Sequence, residues 1–201
     1  MGCLTNIFKI IILILAAIGF KTIGGVDFIN KFIDINSIFK APSQEKLQEK
    51  SAKIADLSDI NDEYTIKKNI NILGVKAVLA QHDSSSQKFI IADDKNQKLL
   101  KKEDFQTNEI DVKIKNLAEK IQYQFIRLED VKILQRGTLY VFNQSAPYVK
   151  FSADAVNMPI SDVLGIVGVA EVDGQTKIII ALNDGKKYSQ IISQEFFKNV
   201  K

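Results

Sequence analysis

One cysteine, Cys3, occurs in 201 residues, so no disulfide can form within the chain. It precedes the long apolar run, whereas the cysteine of a bacterial lipoprotein follows such a run. Met1-Gly2-Cys3 resembles an acylation start, but position 6 is Asn where a myristoylation signal carries Ser or Thr. Histidine is equally scarce: His82 sits in QHDSSSQ, a stretch that reads as a solvated turn. A Ser-His-Asp site needs three groups assembled by the fold, which neighbours in one turn rarely achieve.

Arginine is limited to Arg127 and Arg136, and 27 basic residues stand against 24 acidic ones, a net charge of +3. Lysines scattered among acids do not make the dense cationic face of a nucleic-acid binder. Asp93-Asp94, Glu103-Asp104 and Asp59 with Asp62-Glu63 lack the spacing of a calcium loop. Gly165, Gly168 and Gly174 do not form a phosphate-cradling turn between a strand and a helix. The expectation is no metal, no cofactor, no catalytic residue and no enzyme.

What is present is an apolar run from Ile10 to Phe20, bounded by Lys9 and Lys21. Its membrane-facing residues are Ile10, Ile11, Ile12, Leu13, Ile14, Leu15, Ile18 and Phe20. Eleven residues give about 17 Å of helix against a hydrocarbon core of about 30 Å. Ile7, Phe8, Ile23 and Val26 extend the run, and the lysine stems can snorkel to the headgroups. The preferred reading is an uncleaved anchor, with a cleaved signal peptide and a buried core helix as rivals. Lys21, Lys31, Lys40 and Lys46 after the span favour a cytoplasmic C-terminal side. The short basic start before an apolar run is the layout of an export signal, and the export reading is adopted: single-pass in the inner membrane, with a periplasmic C-terminal domain.

After Gly24-Gly25, Phe28, Ile29, Phe32, Ile33 and Phe39 share a helical face, which predicts a juxtamembrane amphipathic helix. Ser43 to Asp59 has helical preferences but few apolar positions, mainly Leu47, Ile54 and Leu57, and reads as a polar spacer. The organisation expected is an anchor or signal over 1–26, helix and linker over 27–63, a first β unit over 64–152 and a partial second unit over 153–201. Strands are predicted at Ile70–Gln81, Lys88–Ala92 and Lys98–Lys101, then a helix over 108–127 from Ile114, Leu117, Ile121, Phe125 and Leu128. Val131–Gln135 and Thr138–Phe142, turning at Arg136-Gly137, and Tyr148–Ser152 complete the unit. The stretch from Gly74 to Phe105 matches that from Gly168 to Phe197 in strand order and turn position, as a tandem repeat would. The fold class is therefore α+β, mainly β: an N-terminal membrane helix, then small antiparallel β-meander units, duplicated, with one packed helix.

The strand motifs Ile72-Leu73-Gly74-Val75, Phe89-Ile90-Ile91-Ala92, Val131-Lys132-Ile133-Leu134 and Leu139-Tyr140-Val141 resemble the homology region of general secretion pathway protein C. That family forms the inner-membrane clamp of type II secretion machines, and the pilus-assembly lipoproteins of the P type are related to it. Ile166–Val169, Ile178–Ala181 and Gly185–Tyr188 offer a partial second copy. The chain departs from the family at Glu103-Asp104-Phe105, where a Gly-Asp step is usual, in the inserted helix, and in lacking a PDZ domain. The resemblance implies a domain that docks on an envelope protein such as an outer-membrane secretin.

The function expected is therefore a membrane-anchored, non-enzymatic scaffold that binds a protein of an envelope or secretion assembly. A meander exposes a strand edge, and Leu73, Val75 and Ala77 on the first strand are the expected partner-binding residues. The alternatives are a module binding a small ligand or envelope polymer, and an enzyme using His82.

Overall fold

The computed structural model describes residues 44–72, 75–94, 99–119, 122–123, 126–156 and 161–201. The apolar run and the amphipathic stretch after it lie outside the described residues. Among the described residues no helix is long and apolar enough to cross a membrane.

Helix α1 (Gln44–Ser51) precedes three strands, β1 (Tyr64–Ile72), β2 (Val75–His82) and β3 (Lys88–Asp94). A 3-10 helix (Lys102–Gln106) and α2 (Glu109–Glu119) follow, then β4 (Gln122–Tyr123), β5 (Ile126–Val141), β6 (Gln144–Val156), β7 (Asp162–Val172), β8 (Gln175–Asp184) and α3 (Gln190–Lys198). The strands form one antiparallel sheet in the order β1-β2-β3-β8-β7-β6-β5-β4. Two meanders thus join where β3 pairs with β8. Phe89-Ile90-Ile91-Ala92 and Ile178-Ile179-Ile180-Ala181, the stretches that look repeated, face each other there: Ile90 opposes Ile180 and Ile91 opposes Ile179.

Both faces of the sheet carry a core. Ile90, Ile178 and Ile180 point to the side holding Leu100, Phe105, Ile110 and Ile114 from the 3-10 helix and α2. Phe89, Ile91 and Ile179 point to the side holding Leu47 of α1 and Phe196 and Phe197 of α3. A strand buried on both faces needs apolar residues at every position rather than every second one, which is why β3 and β8 read as unbroken apolar runs. A two-fold axis normal to the sheet would leave each residue on its own face. The helical segments that close the two meanders lie on opposite faces, so the halves repeat in strand order and not in layer.

Several boundaries differ from those the pattern suggests. Ile70–Gln81 is not one strand: β1 ends at Ile72 and β2 begins at Val75. Residues 99–101 form no strand, because the Asp94 carboxylate accepts the Leu99 N–H at 2.9 Å and leads the chain into the 3-10 helix. β5 runs straight through Arg136-Gly137 with two bulges. Gly137 is there because the Tyr148 ring covers it, 2.9 Å from where a Cβ would stand. The hairpin turn is instead Phe142-Asn143, with φ of 52° and 57°, the geometry of a two-residue primed turn. α2 stops at Glu119 rather than continuing to 127, since Gln122 and Tyr123 turn back to pair with Arg127 and Ile126. More than one helix packs on the sheet, and α3 was not expected. Its signal was present as Ser189, whose hydroxyl accepts the Ile192 N–H at the helix start, followed by Phe196 and Phe197 on the buried face.

Residues 44–57 are docked rather than held off as a spacer: Leu47, Ile54 and Leu57 are all buried. Each such side chain contributes about 1.5–3 kcal/mol on burial. The C-terminus closes over this segment through a backbone pair, Asp56 N–H to Lys201 O at 2.7 Å and Lys201 N–H to Asp56 O at 3.0 Å.

Candidate functional site

Two local turns build the loop that leads from α1 to the sheet. The Asp56 carboxylate accepts the Ser58 N–H at 2.9 Å, and the Asn61 side chain accepts the Glu63 N–H at 3.0 Å. Such short-range side-chain bonds hold a chain that has no ladder of its own. The bond from the Ser58 N–H keeps the Asp56 carboxyl below its usual range, so it is ionised at neutral pH.

The loop leaves a cleft of about 700 Å³ along β1. α1 lines it with Glu49, the turn after α1 with Ala52, the loop with Asp56, Leu57, Ile60 and Asp62, and the strand with Tyr64, Thr65 and Ile66. β1 is the first strand of the sheet, and among the described residues no strand pairs with its outer side, where the Tyr64 N–H is held by Asn61 O at 3.2 Å. Tyr64 forms the floor. Its ring lies 5.1 Å from His82, 5.6 Å from Phe89 and 5.2 Å from Phe196, its hydroxyl donates to Ile192 O at 3.3 Å, and burial raises its phenol pKa. Beyond Ile66 the edge changes. Lys67 occupies a bulge and its ammonium lies 3.6 Å from Asp83.

The sequence places the exposed edge one strand too far inward. Leu73 lies outside the described residues. Val75 and Ala77 belong to β2, which is paired with β1 on one side and β3 on the other, and Ala77 is fully buried. Joining β1 and β2 into one strand hid the true edge, which is Tyr64 to Ile72. Tyr140 is half exposed on β5.

His82 is buried and its Nδ1 lies 2.9 Å from Ser85 Oγ and 3.2 Å from the Ser85 N–H, which donates to it. Glu63 Oε2 stands 3.9 Å from Nε2. A serine, an imidazole and an acid are thus brought together in order. The serine contacts close the β2–β3 turn, where Ser85 Oγ also accepts the Gln87 N–H at 3.2 Å. Neither His82 nor Ser85 lines the cleft.

No protein-family model matches the chain, and no curated protein matches it. Among solved structures, a protein of unknown function from Pseudomonas aeruginosa is similar over 50% of this chain, at 17% identity and a TM-score of 0.34. The match spans 60% of that protein's length. A TM-score of that size lies below the level of a shared fold.

Behind the site, Gln87 is fully buried and joins the β2–β3 turn to α3. Its amide nitrogen donates to Ser193 Oγ at 2.8 Å and Ser189 O at 3.0 Å, and its oxygen accepts the Ser189 N–H at 2.8 Å. Sequence reading missed this network, because a single Gln after a serine run carries no pattern. Among the described residues no three His, Cys, Asp or Glu side chains cluster as a metal site would require.

Proposed function

We propose that the chain is a membrane-anchored, non-enzymatic scaffold whose exported β domain takes up a segment of another envelope protein along the edge of β1. The observation that carries this reading is the outer side of β1, with which no strand pairs among the described residues, beside a cleft of about 700 Å³. An open edge offers a row of main-chain donors and acceptors to an added strand, and a flanking cleft can read that strand's side chains. The apolar run Ile10–Phe20 supports the anchor, and the strand motifs that resemble the secretion clamp family support an envelope partner such as a secretin.

A second reading has one observation in its favour: the cleft volume lies within the range of small-molecule pockets. In that case a small ligand or envelope polymer would fill it in place of a peptide strand.

Reporter fusions after Lys201, one type active only in the cytoplasm and one only outside it, test the anchor and its direction. The expected result is an exported reporter that stays with membranes after alkaline extraction. A cytoplasmic C-terminus would overturn the envelope assignment.

A further inference from the structure

Among the described residues, the lining of the cleft at the β1 edge carries charge of one sign only. Glu49, Asp56 and Asp62 line it, and among the described residues no lysine or arginine does, in a chain whose net charge is +3. Leu57, Ile60 and Ile66 stand among the acids as apolar lining. The stretch of β1 that lines it, Tyr64 to Ile66, ends at the bulge at Lys67, and within it the Tyr64 N–H is already held by Asn61 O at 3.2 Å. A strand added here would therefore pair over a few residues. The side chains of such a strand would meet both apolar lining and carboxylates. The bulge and the positive charge of Lys67 resist extension of a cationic strand further along β1.

Deepening the strand-addition reading, on which it rests, we propose that the β1 cleft binds a short extended segment of a partner protein in which lysine or arginine alternates with apolar residues. The carboxylates select against acidic segments and speed encounter with basic ones, while the main chain of β1 supplies register.

The test uses the full chain in phosphatidylcholine nanodiscs and four labelled octapeptides. They alternate valine with lysine, serine or glutamate, and the fourth is the valine–lysine peptide N-methylated at every second amide. Binding is read by anisotropy, and its position by hydrogen exchange over residues 61–66. The expected result is that the valine–lysine peptide binds and slows exchange there. Its affinity falls about tenfold in Glu49→Gln/Asp62→Asn and falls again as salt screens the cleft. N-methylation abolishes binding. If the valine–serine peptide binds as tightly and protects residues 61–66, the basic specificity is wrong and strand addition stands. If no peptide slows exchange at 61–66, or the lysine peptide protects a different segment, the strand-addition reading falls with it.

Discussion

Lys177 and Asp93 oppose each other where β8 meets β3, and their side chains form a buried ion pair. The Lys177 ammonium also donates to the Ile54 carbonyl at 2.8 Å, so one cation fastens the segment after α1 to the centre of the sheet. Removing one member of a buried pair leaves the other charge uncompensated, at a cost of about 3–5 kcal/mol. Asp93→Asn is expected to lower stability by that order in urea unfolding. Asp93→Leu/Lys177→Met should recover most of the loss while increasing exchange over residues 52–57, whose tie to the sheet is gone. A double variant as unstable as the single one would contradict this.

The turn–helix network gives a second expectation. Gln87→Ala leaves the Ser189 N–H without its side-chain partner, at a cost of about 1–3 kcal/mol, while Ser193 Oγ keeps its bonds to the Tyr188 hydroxyl and Ser189 O. Exchange in α3 should rise, and more than exchange in α2, which packs on the opposite face.

Glycines in β7 separate two physical effects. A Cβ at Gly168 would stand 2.7 Å from Pro147 O and 3.1 Å from Ile179 Cγ1, so backbone would have to move. Gly168→Ala is expected to destabilise by about 1–3 kcal/mol. Gly174, in the β7–β8 turn at φ +72°, has open space around it, and alanine there pays only for its backbone conformation, about 1 kcal/mol. Thermal unfolding of the two variants should preserve that order.

Burial pushes the Tyr188 phenol up to about 12 from its ordinary 10.0. The folded state then holds this proton more tightly than the unfolded chain does. Its contribution is complete below pH 10, and stability falls as pH rises from about 10 to about 12. The Tyr188 hydroxyl also accepts from Ser193 Oγ at 3.2 Å, so Tyr188→Phe is expected to be less stable at neutral pH and to show a shallower alkaline loss. An unchanged alkaline slope would contradict the assignment.

Much of the centre of this fold was legible because burial on both faces leaves a strong mark. Ile178, Ile179 and Ile180 are apolar in succession since β8 lies between two layers, and the β7–β8 turn was marked by Asp173-Gly174. The edges were less legible. β5 takes bulges near Asp130 and Leu134, which break alternation, and Arg136-Gly137 within it has the look of a turn, so one strand reads as two. Its true turn places Phe142 at a positive φ, a residue no turn rule selects. It is held there partly by the bond from its N–H to Val200 O at 2.9 Å, a contact from the far end of the chain. The candidate cleft was hidden for a related reason. Leu47, Ile54 and Leu57 are too sparse to announce a packed segment, yet each finds a pocket on a sheet that sequence periodicity does not show.

The proposed function depends on which edge of the sheet meets a partner. A photoreactive residue placed at Thr65 on β1, or at Tyr140 on β5 as the opposing control, answers it in intact cells. The prediction is a single envelope-protein adduct from Thr65, reduced by Glu49→Gln/Asp62→Asn, with none from Tyr140. An adduct from Tyr140 and none from Thr65 would overturn strand addition at β1 and move the interface to the other end of the sheet.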